Sequence, residues 1–277
     1  MDLVTIEKFE ALGPEGPGAV QWQEGDAWLA GGTWLFSEPQ DHLRRLIDLG
    51  GLGWRPLTVS DAGLEIAATC PILQLECFVA PAEWPAAALF PQCAHSLLAS
   101  FKIQKMATVG GNVCMSLPAG AMVSLTASLE GICTILLREG GERQVPVIEF
   151  VTGNHQNLLR PGDLLRSILL PESALRKRSA FRRLSLTHQG RSTVLMIATQ
   201  SPETGEIVLT VTASTARPVQ MRFDLIPEAN ALQERLREAI PDSLYFDDVH
   251  GAPEYRKHLT LYFAEELRRE LLTETHR

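Results

Sequence analysis

Two glycine pairs, Leu29-Ala30-Gly31-Gly32-Thr33 and Ala107-Thr108-Val109-Gly110-Gly111-Asn112, constrain this chain more than any other feature. Each follows apolar residues and precedes a small polar one. Glycine lacks a Cβ, so the backbone can take positive φ there and turn successive N–H groups toward an anion at hydrogen-bond distance. Either pair alone reads first as a turn. Together they point to bare backbone lying against phosphates, a way for an acidic protein to hold a diphosphate. Neither belongs to a G-x-G-x-x-G fingerprint with an acidic residue about 20 positions on, nor to a G-x-x-x-x-G-K-[ST] loop. A Rossmann domain and a P-loop nucleotide triphosphatase are therefore set aside.

The 277 residues, 45% of them hydrophobic, are enough for a large core and suit two domains of moderate size or one elongated one. A balance of 25 basic against 33 acidic residues, net charge -8, argues against general affinity for nucleic acid or an anionic membrane. One dense basic cluster, Arg176 to Arg183, reads as a solvated linker between domains ahead of a phosphate or partner site. The N-terminus has no basic region or apolar core, and no stretch reaches the ~18 apolar residues of a membrane span, so a soluble, cytoplasmic protein is expected. Cys70, Cys77, Cys93, Cys114 and Cys133 include no C-x-x-C, which indicates free, mostly buried thiols rather than a disulfide framework or a self-contained iron–sulfur or zinc site. The histidines are equally dispersed, and no catalytic or metal-ligating residue is singled out.

Along the chain, Ala27 to Ala30 reads as a strand entering the first glycine turn, and His42 to Leu49 as a short helix or strand ending at Gly50-Gly51. Leu64 to Ala67 reads as a strand, and Ile72 to Phe78 as the start of a helix after Pro71. Pro85 to Phe101 contains a helix facing inward through Leu97, Leu98 and Phe101. Past the second pair, Met122, Leu125 and Leu129 stand at helical spacing and supply core. Ile132 to Leu137 is β-rich, and a strand runs through Leu165, Ile168 and Leu170 to Pro171. Beyond the basic cluster, Thr193 to Thr199 and Ile207 to Ala213 form a hairpin, followed by helices over Glu228 to Ala239 and Pro253 to Leu271. Leu259, Tyr262, Phe263, Leu267 and Leu271 make the apolar stripe of the last helix. The expected division is 1–175, itself split into about 1–55 and 56–175, followed by 176–277.

At this point the motifs resemble those of a known family, the FAD-binding medium subunit of the molybdenum hydroxylases, which include the xanthine and carbon monoxide dehydrogenases. A-G-G-T stands at Ala30 to Thr33 and A-T-[IV]-G-G-N at Ala107 to Asn112. Ile66-Ala67-Ala68-Thr69 is similar to the family's I-G-A-x-T, Pro161-Gly162-Asp163 lies within the matching Leu159 to Pro171 segment, and Ala252-Pro253-Glu254-Tyr255-Arg256 resembles the S-x-E-Y-R opening of the last helix. The likeness runs nearly end to end.

The resemblance implies an α+β chain: a two-part FAD-binding fold of the vanillyl-alcohol-oxidase (PCMH) type, then a C-terminal α/β domain with a three-stranded antiparallel sheet. FAD would lie extended between the parts. Leu29, Ala30, Gly31, Gly32, Thr33, Trp34 and Leu35 would wrap one side of its diphosphate, and Thr108, Gly110, Gly111 and Asn112 would supply the other. Ala99, Cys114, Leu165 and Arg182 fall at further cofactor contacts, Leu165 against the isoalloxazine and Arg182 where a lysine often sits; the last competes with the linker reading. The chain would be an oxidoreductase subunit. Electrons would come from a molybdopterin large subunit through [2Fe-2S] clusters on a small subunit, pass through FAD, and leave to an acceptor such as NAD, quinone or oxygen.

Some positions depart from the family pattern. Trp34 replaces a small polar residue and could stack on a ring, shield the flavin or fill core. Leu117, Pro118 and Ala121 stand where the family has S-P-x-x-D, so Leu117 and Ala121 replace polar residues near the adenosine side, Met115 replaces another, and Gln104-Lys105 replaces Arg-Asn. These departures support an alternative, a flavin-free scaffold that keeps the fold and docks the partner subunits. A third reading, an independent flavin oxidoreductase, finds no acid–base pair or covalent flavin attachment site to support it.

Overall fold

Burial, strand by strand, shows how the chain brings its two glycine pairs side by side. The computed structural model describes residues 3–13, 16–97, 99–188 and 190–274. Strands β1 (Lys8–Ala11), β2 (Asp26–Leu29) and β3 (Arg45–Asp48) form a parallel sheet with β3 in the middle. Arg45 on the central strand locks it, donating from Nε to Asp26 at 2.9 Å and from a terminal nitrogen to Glu10 at 3.0 Å. The hydrogen bonds from Arg45 hold the Asp26 carboxyl below the ordinary carboxylate range.

A second, antiparallel sheet follows, begun by β4 (Leu57–Ser60) and β5 (Gly63–Ala67). Five short helices come next: α1 (Ile72–Glu76), α2 (Leu89–Ser96), α3 (Phe101–Met106), α4 (Val109–Met115) and α5 (Ala121–Ser128). The chain returns through β6 (Ile132–Leu136), β7 (Glu142–Pro146), α6 (Val147–Phe150), the small pair β8 (Val151–Gly153) and β9 (Gln156–Asn157), β10 (Leu164–Pro171) and α7 (Glu172–Leu175). The order β4-β5-β10-β6-β7 puts β10 at the centre, with Leu165, Ile168 and Leu170 buried in the main core.

The third sheet is an antiparallel meander of β11 (Arg178–Leu184), β12 (Val194–Gln200), β13 (Ile207–Thr212) and β14 (Val219–Phe223), followed by α8 (Ala229–Ala239) and α9 (Pro253–Glu274). It has four strands, one more than expected, because the basic cluster is not a linker: its larger part is β11. Its side chains are engaged in place. Arg176 pairs with Glu172 at 2.9 Å, Lys177 with Glu130 at 2.5 Å, Arg178 with Gln200 at 2.6 Å, and Arg182 with Glu266 at 3.0 Å and Glu270 at 2.6 Å.

Side-chain alternation on β12 divides that strand between two cores. Val194, Met196 and Ala198 join the cluster under α8 and α9, whereas Leu195 and Ile197 join the main core, on the side of α5. Helix α5 is buried along its whole length, Met122 and Leu125 included, and polar bonds fasten it to the third sheet. The Ser124 and Thr212 hydroxyls lie 2.7 Å apart, and Gln220 Nε2 donates to Ala127 O at 2.9 Å.

Two apolar expectations fail. Phe101 is 65% exposed at the start of α3, a helix with no buried residue, and Tyr262 is 53% exposed while Leu259, Phe263, Leu267 and Leu271 carry the stripe. Leu98 lies outside the described residues. Among the described residues no helix is long and apolar enough to cross a membrane, and no group of three His, Cys, Asp or Glu could hold a metal ion.

Candidate functional site

At the end of β2 the chain turns through Gly32, whose φ of +67° lies in the left-handed region. Phe36 N–H donates to Gly32 O at 2.9 Å and Ser37 N–H to Trp34 O at 2.9 Å, closing the turn. The amides of Gly31, Gly32, Thr33, Trp34 and Leu35 donate to no acceptor among the described residues. Such a run of unengaged N–H groups in a tight turn forms an anion-binding concavity.

The second pair is built differently. Thr108 caps α4, its Oγ1 accepting from Gly111 N–H at 3.0 Å and its carbonyl from Asn112 N–H at 3.0 Å. Val109 N–H donates to Cys70 O at 2.9 Å and Gly110 N–H to Ala68 O at 3.0 Å. Asn112 Oδ1 accepts from Met122 N–H at 2.9 Å and so ties α4 to the first turn of α5. Every amide from Val109 to Asn112 is engaged within the protein, so this turn does not present the row of donors its sequence suggests. Gly110 serves close approach instead, since a Cβ there would run into Ala68.

The two loops touch. A Cβ on Gly31 would collide with the carbonyl of Met106, just before the second motif. Together they border a cleft of about 1050 Å³, at the upper end of the roughly 300–1,000 Å³ usual for small-molecule sites.

Leu29 to Leu35, Thr108, Gly111, Asn112 and Cys114 all line this cleft, whereas Gly110, Ala99, Leu165 and Arg182 do not. Leu165 is only 1% exposed, paired with Ile135 inside the second sheet. Arg182 is held by the α9 carboxylates. Ala99 lies in the link between α2 and α3; the cleft is lined instead by Ser96 at the end of α2, Leu97 in the link and Ile103 on α3. Met115, Leu117 and Pro118 make an apolar stretch of wall, while Ala121 is buried behind it. Burial pushes the Cys114 thiol up to about 12, which keeps it neutral.

Trp34 does not fill core. It lines the cleft, half-buried, its ring 5.6 Å from that of His155 and 5.9 Å from the Arg191 guanidinium. No motif pointed to His155, Arg191 or the Phe246 and Asp248 to His250 stretch, because only folding brings these separate segments to one wall. That wall is fixed by Arg256, 1% exposed, which donates to Gly251 O at 2.9 Å, to Thr193 O at 2.6 Å, to Ala213 O and to the Asp248 carboxylate.

Residues 19–173, more than half of the chain, match the family model described as the FAD binding domain in molybdopterin dehydrogenase. No curated protein sequence matches the chain. Its fold is similar to that of quinoline 2-oxidoreductase from Pseudomonas putida 86, with a TM-score of 0.77, 17% identity and 99% of each chain covered. It is similar also to carbon monoxide dehydrogenase from Hydrogenophaga pseudoflava lacking the Mo-pyranopterin moiety, with a TM-score of 0.80, 18% identity and 99% of each chain covered. For reconstituted CO dehydrogenase from Oligotropha carboxidovorans the TM-score is 0.78 and the identity 19%, over 97% of this chain and 99% of that one. At these identities the likeness is one of fold, and it is the family model, matched across both glycine loops that border the cleft, that places the sequence: the chain belongs to the family of FAD-binding domains of molybdopterin dehydrogenases.

Proposed function

We propose that this chain is the FAD-carrying electron-transfer subunit of a molybdenum-containing dehydrogenase, receiving electrons from iron–sulfur clusters on a partner subunit and passing them to an external acceptor. The observation that carries the reading is the run of unengaged amides from Gly31 to Leu35 on the wall of the cleft. The residues present fit the cofactor. The turn offers N–H donors to a diphosphate, with no side chain at Gly31 or Gly32, and the Met115, Leu117 and Pro118 wall suits an apolar ring system.

Bound FAD would supply the redox chemistry. The chain's own task is to bind, orient and insulate. Gly31 to Leu35 would hold the phosphates, Thr108 and Asn112 would keep α4 and α5 in register beside them, and the apolar wall would exclude water. The partner subunits, bearing [2Fe-2S] clusters and molybdopterin, and an acceptor such as NAD, quinone or oxygen belong to this proposal. So does a cytoplasmic setting.

A flavin-free scaffold is the second reading, favoured by the fully engaged amides of the second glycine turn and the apolar Leu117 and Ala121. Reconstitution decides between them. The purified chain, incubated with FAD and desalted, is expected to retain stoichiometric flavin, visible in its absorption spectrum and released on denaturation. A spectrum without flavin bands, with calorimetry showing no heat of FAD binding, would establish the scaffold and end the carrier reading.

A further inference from the structure

Resting on the carrier reading, we propose that Arg191 is the cationic ligand of the cofactor's diphosphate, reaching it from the third sheet across the cleft from the Gly31–Leu35 turn. The argument begins with charge. A chain of net charge -8 must offset a dianionic diphosphate locally, and unengaged amides provide only partial positive charge.

The other arginine on the cleft wall is already committed. Arg256 is saturated by three carbonyls and Asp248. Of the three carboxylates there, Asp26 is paired with Arg45 and Asp248 with Arg256, while Glu38 is exposed and has no ion-pair partner among the described residues. Arg191 has no hydrogen-bond or ion-pair partner among the described residues, and its one recorded contact is with the Trp34 ring, 5.9 Å away. Trp34 sits in the same turn as the unengaged amides, so the Arg191 charge shares the cleft with that turn and lies beside its indole.

The backbone around Arg191 is held as a binding group requires. The Arg183 guanidinium donates to Gly190 O at 2.7 Å and to Ser192 Oγ at 2.8 Å, gripping the residues on either side. Thr193 adds a bond from Oγ1 to His250 O at 2.7 Å and one from its N–H to Leu184 O at 2.8 Å. Arg191 is itself exposed, but its neighbours Gly190, Ser192 and Thr193 are tied by four hydrogen bonds, two of them through main-chain atoms. A guanidinium presented in this way loses less freedom on binding and matches phosphate oxygens two at a time. The basic cluster thus has a role that neither a linker nor a direct cofactor contact at Arg182 captured: Arg183 is the positioning residue and Arg191 the binding residue.

The test is calorimetry on the full chain with two probes, FAD and riboflavin, which share the ring system but not the phosphates. Arg191→Ala is expected to weaken FAD at least about tenfold, as loss of a charge-assisted bond does, and to leave riboflavin affinity unchanged. Arg191→Lys should restore part of the loss, and the salt dependence of FAD affinity should be shallower in the alanine variant than in the wild type. Arg183→Leu should give the same phosphate-selective loss in smaller size. Equal FAD affinity in wild type and Arg191→Ala would overturn the assignment and leave the carrier reading standing. Equal weakening of FAD and riboflavin would overturn it too, placing Arg191 against the ring. Failure of the wild type to bind FAD would bring down both. Because the Arg191 side chain makes no hydrogen bond among the described residues, circular dichroism of its variants should match the wild type; should Arg191→Ala depart from it, Arg191→Gln supplies the same comparison.

Discussion

The two glycine turns look interchangeable as sequence and differ as structures. At Gly31-Gly32 one residue takes positive φ and the following amides stay unengaged, whereas at Gly110-Gly111 no residue takes positive φ and every amide is bonded within the protein. The first leaves its donors unengaged beside the cleft; the second is a joint between α4, β5 and α5. Similar spelling therefore conceals two physical uses of a missing Cβ, exposure of backbone in one case and intimate packing in the other.

The sharpest attempt to break this contrast is Gly110→Val. Its side chain meets Ala68 backbone and should destabilise the FAD-free chain by about 3 kcal/mol or more, seen as a lowered urea midpoint. A variant that kept its midpoint and lost only flavin would merge the two turns into one class. A control for stability loss away from both turns is Glu130→Gln, which unpairs Lys177, a side chain 6% exposed, and should cost about 2–3 kcal/mol without changing FAD affinity.

The same site carries a pH signature. Burial raises the Glu130 carboxyl pKa, but hydrogen bonds and charge from Lys177 and Arg222 outweigh it and hold the group below the ordinary 4.5. A carboxyl depressed in the folded state stabilises above its unfolded pKa and loses that contribution as pH falls through the folded value. Thermal melts should therefore decline more steeply in acid below pH 4.5 for the wild type than for Glu130→Gln.

Gly32→Ala sharpens the contrast from the other side. Left-handed backbone costs a residue with a Cβ about 1–2 kcal/mol, and reshaping the turn should lower FAD affinity by more than the fall in stability alone explains, measurable by calorimetry. Smallest is Thr108→Val, which removes the α4 cap for about 1 kcal/mol of stability, read in the urea midpoint, and should leave FAD affinity within twofold.

Much of the fold was legible because burial follows period. The apolar run through Leu165, Ile168 and Leu170 marks the buried strand β10, and the spacing of Met122, Leu125 and Leu129 places α5 against the core. What escaped the sequence depended on partners distant in the chain. Arg178 to Leu184 looks like a solvated tract until Gln200, Glu266 and Glu270 are set beside it. Nor can residue identity disclose whether Gly110 N–H faces a ligand or Ala68 O. The first cleft wall is one continuous stretch of sequence and was readable; the wall with His155, Arg191 and Asp248 is assembled from three segments and was not.

Arg256 has a consequence in time. It belongs to the last helix, yet it ties the beginning of β12, the end of β13 and the Asp248 to Gly251 bend. A nascent chain emerging from the ribosome would therefore complete both glycine turns well before Arg256 emerged to set their opposite wall.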